Sequence, residues 1–329
     1  MTANDMELGI ETEIHGIIED NGRIAIDAKI FSEIVRRLPD NDISIETDGT
    51  DSVKIQCEKI NFTIPGKNAD EFTFLPEVER LNCVTLSQFT LKEIIRQTIF
   101  SISDNENNKM MAGELLEING NNLRIVSLDG HRISIRKIVL KDSYDSIKVV
   151  VPGKTLNEVN KILLDSFEPV KIGISKNQAL FEMDNCKIVT RILDGEFLNY
   201  KNVIPNTWET RIRVNRSNLQ DCFERISLIS SSSVEKEKKY PVKVVVDIGK
   251  VTISCTNQTG DAKEELFIST EGKNLEAGFN PKYFLDSLKV IDDEEVYVEF
   301  GSSISPCLIK STENNDYVYM ILPIRIKED

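Results

Sequence analysis

A short block recurs three times in this chain, and its spacing leaves few architectures open. The middle copy, Val151–Asp165, reads as an amphipathic helix. Pro152 suits a first turn, where a missing N–H costs nothing, and Leu156, Val159 and Leu163 fall on one face. Glu168–Ile174 then alternates like a strand with one wet side. The same unit appears as Asp27–Ile34 leading into Asp42–Glu46, and as Pro281–Leu288 leading into Glu294–Phe300. Aligning Phe31, Leu156 and Leu285 gives periods of 125 and 129 residues. Each copy carries two cations seven residues apart: Lys29/Arg36, Lys154/Lys161 and Lys282/Lys289. Solenoid units run roughly 20–50 residues, so a period this long means repeated domains.

A second helix precedes the block in two copies, at Gln88–Arg96 and Arg216–Arg225. The separations Leu91 to Leu156 and Leu219 to Leu285 are 65 and 66 residues. The equivalent in the first copy would precede Met1, so that copy is expected to lack a helix and adjoining strands, about forty residues by this spacing. Asp5–Ile14 reads as a strand, which would open the chain in the middle of a sheet. In the middle copy, Gly113–Ile118, Leu123–Leu128 and Arg132–Ile135 read as strands, with a turn over Asn119–Asn122. Ala179–Met183 and Lys187–Ile192 form a hairpin about Asp184-Asn185. Alternation and β-branched residues predict an α+β fold: three repeated domains, each an antiparallel sheet backed by helices, the first one truncated. Their expected bounds are 1–79, 80–206 and 207–329. The polar run Ser230–Lys239 reads as a mobile loop between a helix and a strand.

Net charge is −14, which at first sight disfavours nucleic acid. Its distribution weakens that inference. The five helical stretches (27–38, 89–103, 152–164, 215–229, 280–291) hold 11 Lys/Arg against 7 Asp/Glu, leaving −18 for the remainder. Basic helices in an acidic protein would give a positive lining and a negative exterior, although charge alone favours ordinary solvated faces. No apolar run approaches the ~20 residues of a membrane span, and the start has no signal-peptide core. The 6 cysteines show no CxxC spacing and there are 2 histidines. Reduced thiols, no metal, no cofactor and a cytoplasmic location are expected.

Several motifs imitate chemistry. Gly153-Lys154-Thr155 ends like a phosphate-binding loop, but the pattern needs glycine where Lys148 stands, and a βαβ setting. The run Asp292-Asp293-Glu294-Glu295 has cation-binding residues, yet it sits where the matching copies turn. Asp129-Gly130-His131-Arg132 places a possible acid–base pair after a strand, with no nucleophile near it in sequence. A structural turn or the rim of a binding pocket explains it better.

Three sets of residues carry a family resemblance. Ser127–Ile133, Val151–Glu158 and Leu193–Tyr200 resemble the middle domain of the bacterial DNA polymerase III beta subunit, the sliding clamps. Gly278–Tyr283, Ser305–Ile309 and Tyr319–Ile326 resemble its last domain. The likeness spans essentially the whole chain and agrees in order with the repeat. It implies three domains per chain and two chains closed head-to-tail into a homodimeric ring, with helices inside and sheets outside. Duplex DNA would pass through the hole without sequence preference. The protein would not be an enzyme. The replicative polymerase's catalytic subunit and the clamp loader would bind through short hydrophobic motifs.

The implied peptide pocket comprises Met111, Leu128, Gly130, His131, Arg132, Ile133, Leu198, Val203, Met320, Leu322, Pro323, Ile324 and Arg325. Its Met, Leu and Ile residues would form an adaptable floor, while His131, Arg132 and Arg325 would steer polar groups of the peptide. The implied DNA-facing residues are Lys29, Arg36, Lys92, Arg96, Lys109, Lys154, Lys161, Arg216, Lys282 and Lys289. The implied ring joint sets Phe62 and Ile64 against Leu228 and Ile229 of the neighbouring chain. Three departures from the family stand out: the short first domain, Leu128 and Leu198 where Thr and Pro are frequent, and Lys327–Asp329 beyond the usual end. Two other classes remain open, an enzyme with acid–base residues at a repeat junction and a structural oligomer that binds no DNA.

Overall fold

A computed structural model describes residues 1–47, 52–76, 78, 83–105, 108–230 and 240–326. The chain opens with β1 (Thr2–Asn4) and β2 (Leu8–Thr12). After β3 (Ile24–Ile26) come α1 (Ala28–Val35), β4 (Ser44–Thr47), β5 (Ser52–Cys57) and β6 (Ile60–Asn68). The middle third runs β7 (Val84–Ser87), α2 (Gln88–Arg96), β8 (Gly113–Leu128), β9 (Arg132–Pro152) and α3 (Gly153–Ile162). It ends with β10 (Pro169–Ile174), β11 (Gln178–Met183) and β12 (Cys186–Arg191). The last third starts with β13 (Thr210–Asn215), α4 (Arg216–Ser230), β14 (Val242–Asp247) and β15 (Lys250–Asn257). Then follow β16 (Gly260–Phe267), β17 (Ser269–Gly272), β18 (Leu275–Phe279) and α5 (Pro281–Leu288). The final strands are β19 (Glu295–Phe300), β20 (Cys307–Ser311) and β21 (Tyr317–Ile321).

Most helices begin at a side-chain cap. Asp27 accepts from the Ile30 N–H, Ser87 from Thr90, Asn215 from Asn218 and Asn280 from Lys282. Each satisfies a donor that the first turn leaves orphaned. The α3 helix is the exception: Pro152 occupies the cap position itself, one residue earlier than a first-turn proline, and makes no side-chain bond. Gly153 follows because a Cβ there would meet Ile102 Cδ1 at 2.3 Å and the Ala112 carbonyl at 3.0 Å.

The sheets cross the repeat boundaries. One has the order β1-β2-β12-β11-β10-β7, another β17-β13-β19-β20-β21-β9-β8. Two four-stranded sheets, β3-β6-β5-β4 and β16-β15-β14-β18, stay within the first and last thirds. The chain therefore opens at a sheet edge and not in its middle, because β1 folds back on β2. Register Ile188↔Ile10 ties the first third to the middle one, and Met320↔Ile133 ties the last third to the middle one.

Asn119–Asn122 do not separate two strands. They lie within β8, where register shifts flank Gly120 at φ 59°. The β8–β9 hairpin is two-faced, as period-2 alternation requires. Leu116, Ile118, Leu123 and Ile125 pack under α2 and α3 with Leu91, Ile95, Leu156 and Val159. Leu115, Val126, Leu128, Ile133, Ile135 and Val150 face the opposite way. Residues 231–239, most of the expected polar loop, and residues 327–329 lie outside the described set, as does the expected boundary at 79/80.

Candidate functional site

Five of the implied pocket residues, Met111, Leu128, Ile133, Met320 and Leu322, gather on the second face of the β8–β9 hairpin. Leu128 and Ile133 pack with Phe197, Tyr200, Leu308, Val318 and Met320, and Met111, Ile204 and Leu322 join from the edge. The chain's ending is pinned across this region by two bonds: the Leu322 N–H donates to His131 O at 2.8 Å and Ile324 N–H to Gly278 O at 2.8 Å. Gly278 permits this approach, since a Cβ there would stand 2.7 Å from the Ile324 carbonyl.

The set divides by exposure. Leu128, Ile133 and Met320 are buried, Met320 at 2 %, so they form the floor's own core and present no open surface. Met320 belongs to β21, which is buried along its whole length. Leu198 (47 %), Val203 (42 %) and Ile324 (39 %) are exposed, while Met111, Leu322 and Pro323 are half-buried. Gly130, at φ 90°, turns the chain between β8 and β9, a conformation that favours glycine. Phe197 and Tyr200 were not expected, although both fall within Leu193–Tyr200. The Tyr200 hydroxyl donates to Glu117 Oε2 at 2.7 Å, and Arg124 and Lys201 each reach that carboxylate at 2.8 Å. Glu117 is held down to about 2, as these three partners outweigh its desolvation.

His131 and Arg325 are exposed, His131 with its ring 6.3 Å from that of Tyr283. Arg132 differs from the expectation that it steers a peptide. It is buried and all three guanidinium nitrogens are engaged: Nε with Asp129 at 2.9 Å, one Nη with Asp286 at 2.6 Å, the other with the Phe100 carbonyl. The Asp129 carboxylate also accepts the His131 and Arg132 N–H groups, which makes Asp129–Arg132 a structural turn and not a catalytic pair.

The cations assigned to DNA lie away from the cores, and most hold a carboxylate. Lys154 reaches Asp5 at 2.6 Å, Lys161 reaches Glu158 at 2.7 Å, and Lys92 reaches Asp165 at 2.7 Å. Arg96 bonds Glu93 at 2.6 Å, Lys282 meets Asp286 at 3.2 Å and Lys289 meets Glu224 at 3.7 Å. Arg36 lies 3.9 Å from Glu33, and Arg216 donates to Gln220 at 2.8 Å. Lys29 and Lys109 are exposed.

The four ring-joint residues do not form one surface class. Phe62 (38 %) and Leu228 (69 %) are exposed, but Ile64 belongs to the first third's core with Ile34, Val53 and Ile55, and Ile229 packs against the last third's core. By register Phe62 sits opposite Ile55, on the face that α1 covers only in part.

The acidic run is dispersed, with Asp292 near Arg96, Asp293 accepting from the Tyr317 hydroxyl at 2.8 Å, and Glu295 bonded to Arg213. Among the described residues no His/Cys/Asp/Glu cluster fits a metal, and no helix is long and apolar enough to cross a membrane.

Comparison with known proteins places the chain in one family over most of its length. Models of the DNA polymerase III beta subunit match its N-terminal domain at residues 1–76, its central domain at 85–199 and its C-terminal domain at 201–325. The beta sliding clamp of Staphylococcus epidermidis is 31 % identical over 335 residues, covering 99 % of this chain and 88 % of that protein. The crystal structure of a putative DNA polymerase III beta subunit from Eubacterium rectale is 50 % identical, with TM-score 0.93 and coverage of 99 % and 88 %. The Bacillus subtilis sliding clamp superposes with TM-score 0.93 at 32 % identity and the same coverage.

Proposed function

Because the chain belongs to the DNA polymerase III beta subunit family, the sliding clamps, we propose that it encircles duplex DNA and tethers replication proteins through the apolar site at the β9–β21 junction. Clamps are processivity factors without a catalytic activity of their own, so binding is the whole of the chemistry. The domains would run 1–79, 80–206 and 207–329, two chains closing one ring. Polymerase and clamp-loader subunits would each insert a short hydrophobic motif.

Two physical features support this reading. Topological enclosure does not need strong contacts, and cations already paired with surface carboxylates offer weak, exchangeable ones. Phosphate would replace Asp5 at Lys154 or Asp165 at Lys92 without a fixed register, which is what sliding demands. At the junction, the observation that carries the proposal is the apolar cluster built by both neighbouring domains and edged by half-buried Met111 and Leu322; the exposed Leu198, Val203 and Ile324 would complete its rim. A peptide's aliphatic or aromatic anchor would find a dry, prebuilt surface there.

Titration calorimetry with a short hydrophobic clamp-binding peptide tests it. Leu322→Ala and Ile324→Ala remove rim surface without opening the core. Truncating a good anchor contact costs ~2 kcal/mol or more, so affinity should fall at least about tenfold. Unchanged affinity in both variants would place the site elsewhere.

A further inference from the structure

A groove of about 900 Å³ opens where the end of β9, the β10–β11 turn and the segment after β12 meet. Ligand pockets run roughly 300–1,000 Å³, so its volume suits one small organic molecule. None of the residues implied above for the peptide pocket, the DNA-facing set or the ring joint lines it. Its walls are tied together by the backbone. The Leu193 N–H donates to Val150 O at 2.9 Å, Ile192 N–H to Asn177 O at 3.1 Å and Ser175 N–H to Gln178 O at 2.9 Å.

Part of the lining is apolar: Leu115, Val150 and Phe197 are buried, and Leu193 is half-buried in the same cluster. The rest is charged. Lys148, Lys176 and Arg191 are exposed, and none of the three holds an ion pair among the described residues. Lys92, Lys154 and Lys161, by contrast, each hold a carboxylate. Asp194 and Glu196 share the groove's lining, also exposed and without an ion pair, so cations outnumber carboxylates there by 3 to 2 in a chain of net −14. Cations left unanswered in a cleft draw in an anion. A bare ion would leave the apolar wall unused, and an uncharged ring would leave the cations as they are.

The geometry points to a ligand site, separate from the apolar junction, for a small organic anion. The ligand's apolar body lies against Val150, Leu193 and Phe197, and Lys148, Lys176 and Arg191 share its negative group. The flexible stems of these cations let their heads close on an anion of modest size.

Anilinonaphthalene sulfonate, whose fluorescence rises in apolar surroundings, is the probe for the full chain. N-phenylnaphthylamine, which has the same rings without the sulfonate, is its control. Hydrogen exchange with the sulfonate bound should show protection at 176–178 and 191–197. Lys176→Glu and Arg191→Glu change exposed side chains, so the melting temperature should stay unchanged. Each should weaken the sulfonate by about fivefold and leave the uncharged probe unmoved. Inorganic sulfate at matched ionic strength should not displace the sulfonate, because it cannot use the apolar wall. Equal changes for both probes, or none for either, would show a merely apolar surface and overturn the site. Protection confined to 198–203 or 320–324, or displacement by the hydrophobic clamp-binding peptide, would put the probe at the junction and overturn it too. Ready displacement by sulfate would overturn the ligand class, leaving a simple anion patch. Should a charge reversal lower the melting temperature, Lys176→Gln and Arg191→Gln carry the same comparison.

Discussion

Glu114 is fully buried at the start of β8, and neither carboxylate oxygen has a hydrogen-bond partner of good geometry. Desolvation pushes its carboxyl up to about 8, and the nearby Thr98 hydroxyl opposes this only weakly. The folded chain thus holds a proton that the unfolded chain releases near the ordinary 4.5. Stability from this group is fully present below 4.5 and is lost as pH rises toward 8. At pH 7 the burial costs roughly 3 kcal/mol, from about 1.4 kcal/mol per pH unit. Glu114→Gln should therefore raise Tm at pH 7.5 and flatten the decline between pH 5 and 8. Thermal melts across that range check it, and parallel curves for the two proteins would show that the carboxyl is not protonated in the fold. Nothing in the sequence marks this residue, because Glu114 alternates with Leu115 as any solvated strand residue would. Glu117, three residues on, looks alike and behaves oppositely, since Tyr200 and Lys201 arrive from more than eighty residues away.

The helices were the most legible elements, for a local reason: the apolar spacing that marks them is read within one turn or two. Strand partners were not legible, because pairings such as β2 with β12 and β21 with β9 are decided by the whole fold. For the same reason burial was not legible: Met320 and Leu322 stand two residues apart, yet Met320 is buried and Leu322 only half-buried. The α3 helix shows what local reading does support. Leu156 and Val159 are buried while Lys154 and Lys161 point outward. Lys154→Glu with Lys161→Glu should leave the melting temperature nearly unchanged, as exposed ion pairs contribute little. Retention on circular DNA should fall, and the salt slope should drop by no more than about 1.8, at ~0.9 per phosphate contact. An unchanged slope would remove α3 from the DNA-facing surface, and a collapsed fold would mean that the two lysines support the core.

At the scale of the whole molecule, charge and exposed surface set the terms for assembly. Two chains at −14 each repel one another, so closing a ring must rely on apolar contact near the joint. The exposed candidates are Phe62, with Ile45 and Ile60 around it on the first sheet, and Leu228 on α4. Ile64 is buried in the first third's core, and Ile229 is half-buried against the last third's core. Burying a large apolar side chain contributes roughly 1.5–3 kcal/mol, enough for Phe62→Asp or Leu228→Asp to weaken a dimer by more than tenfold. If the two side chains meet across one joint, the double variant should sediment no differently from the worse single one. Screening adds a second signature. Added salt shortens the reach of like-charge repulsion from about 10 Å at 0.1 M to about 3 Å at 1 M, so wild-type association should tighten with salt while DNA retention loosens. Sedimentation velocity of the four proteins at low and high salt reads both effects. A wild-type dimer that loosens with salt would show instead that ion pairs hold the joint, and a Leu228→Asp protein that sediments like wild type would move the joint away from α4.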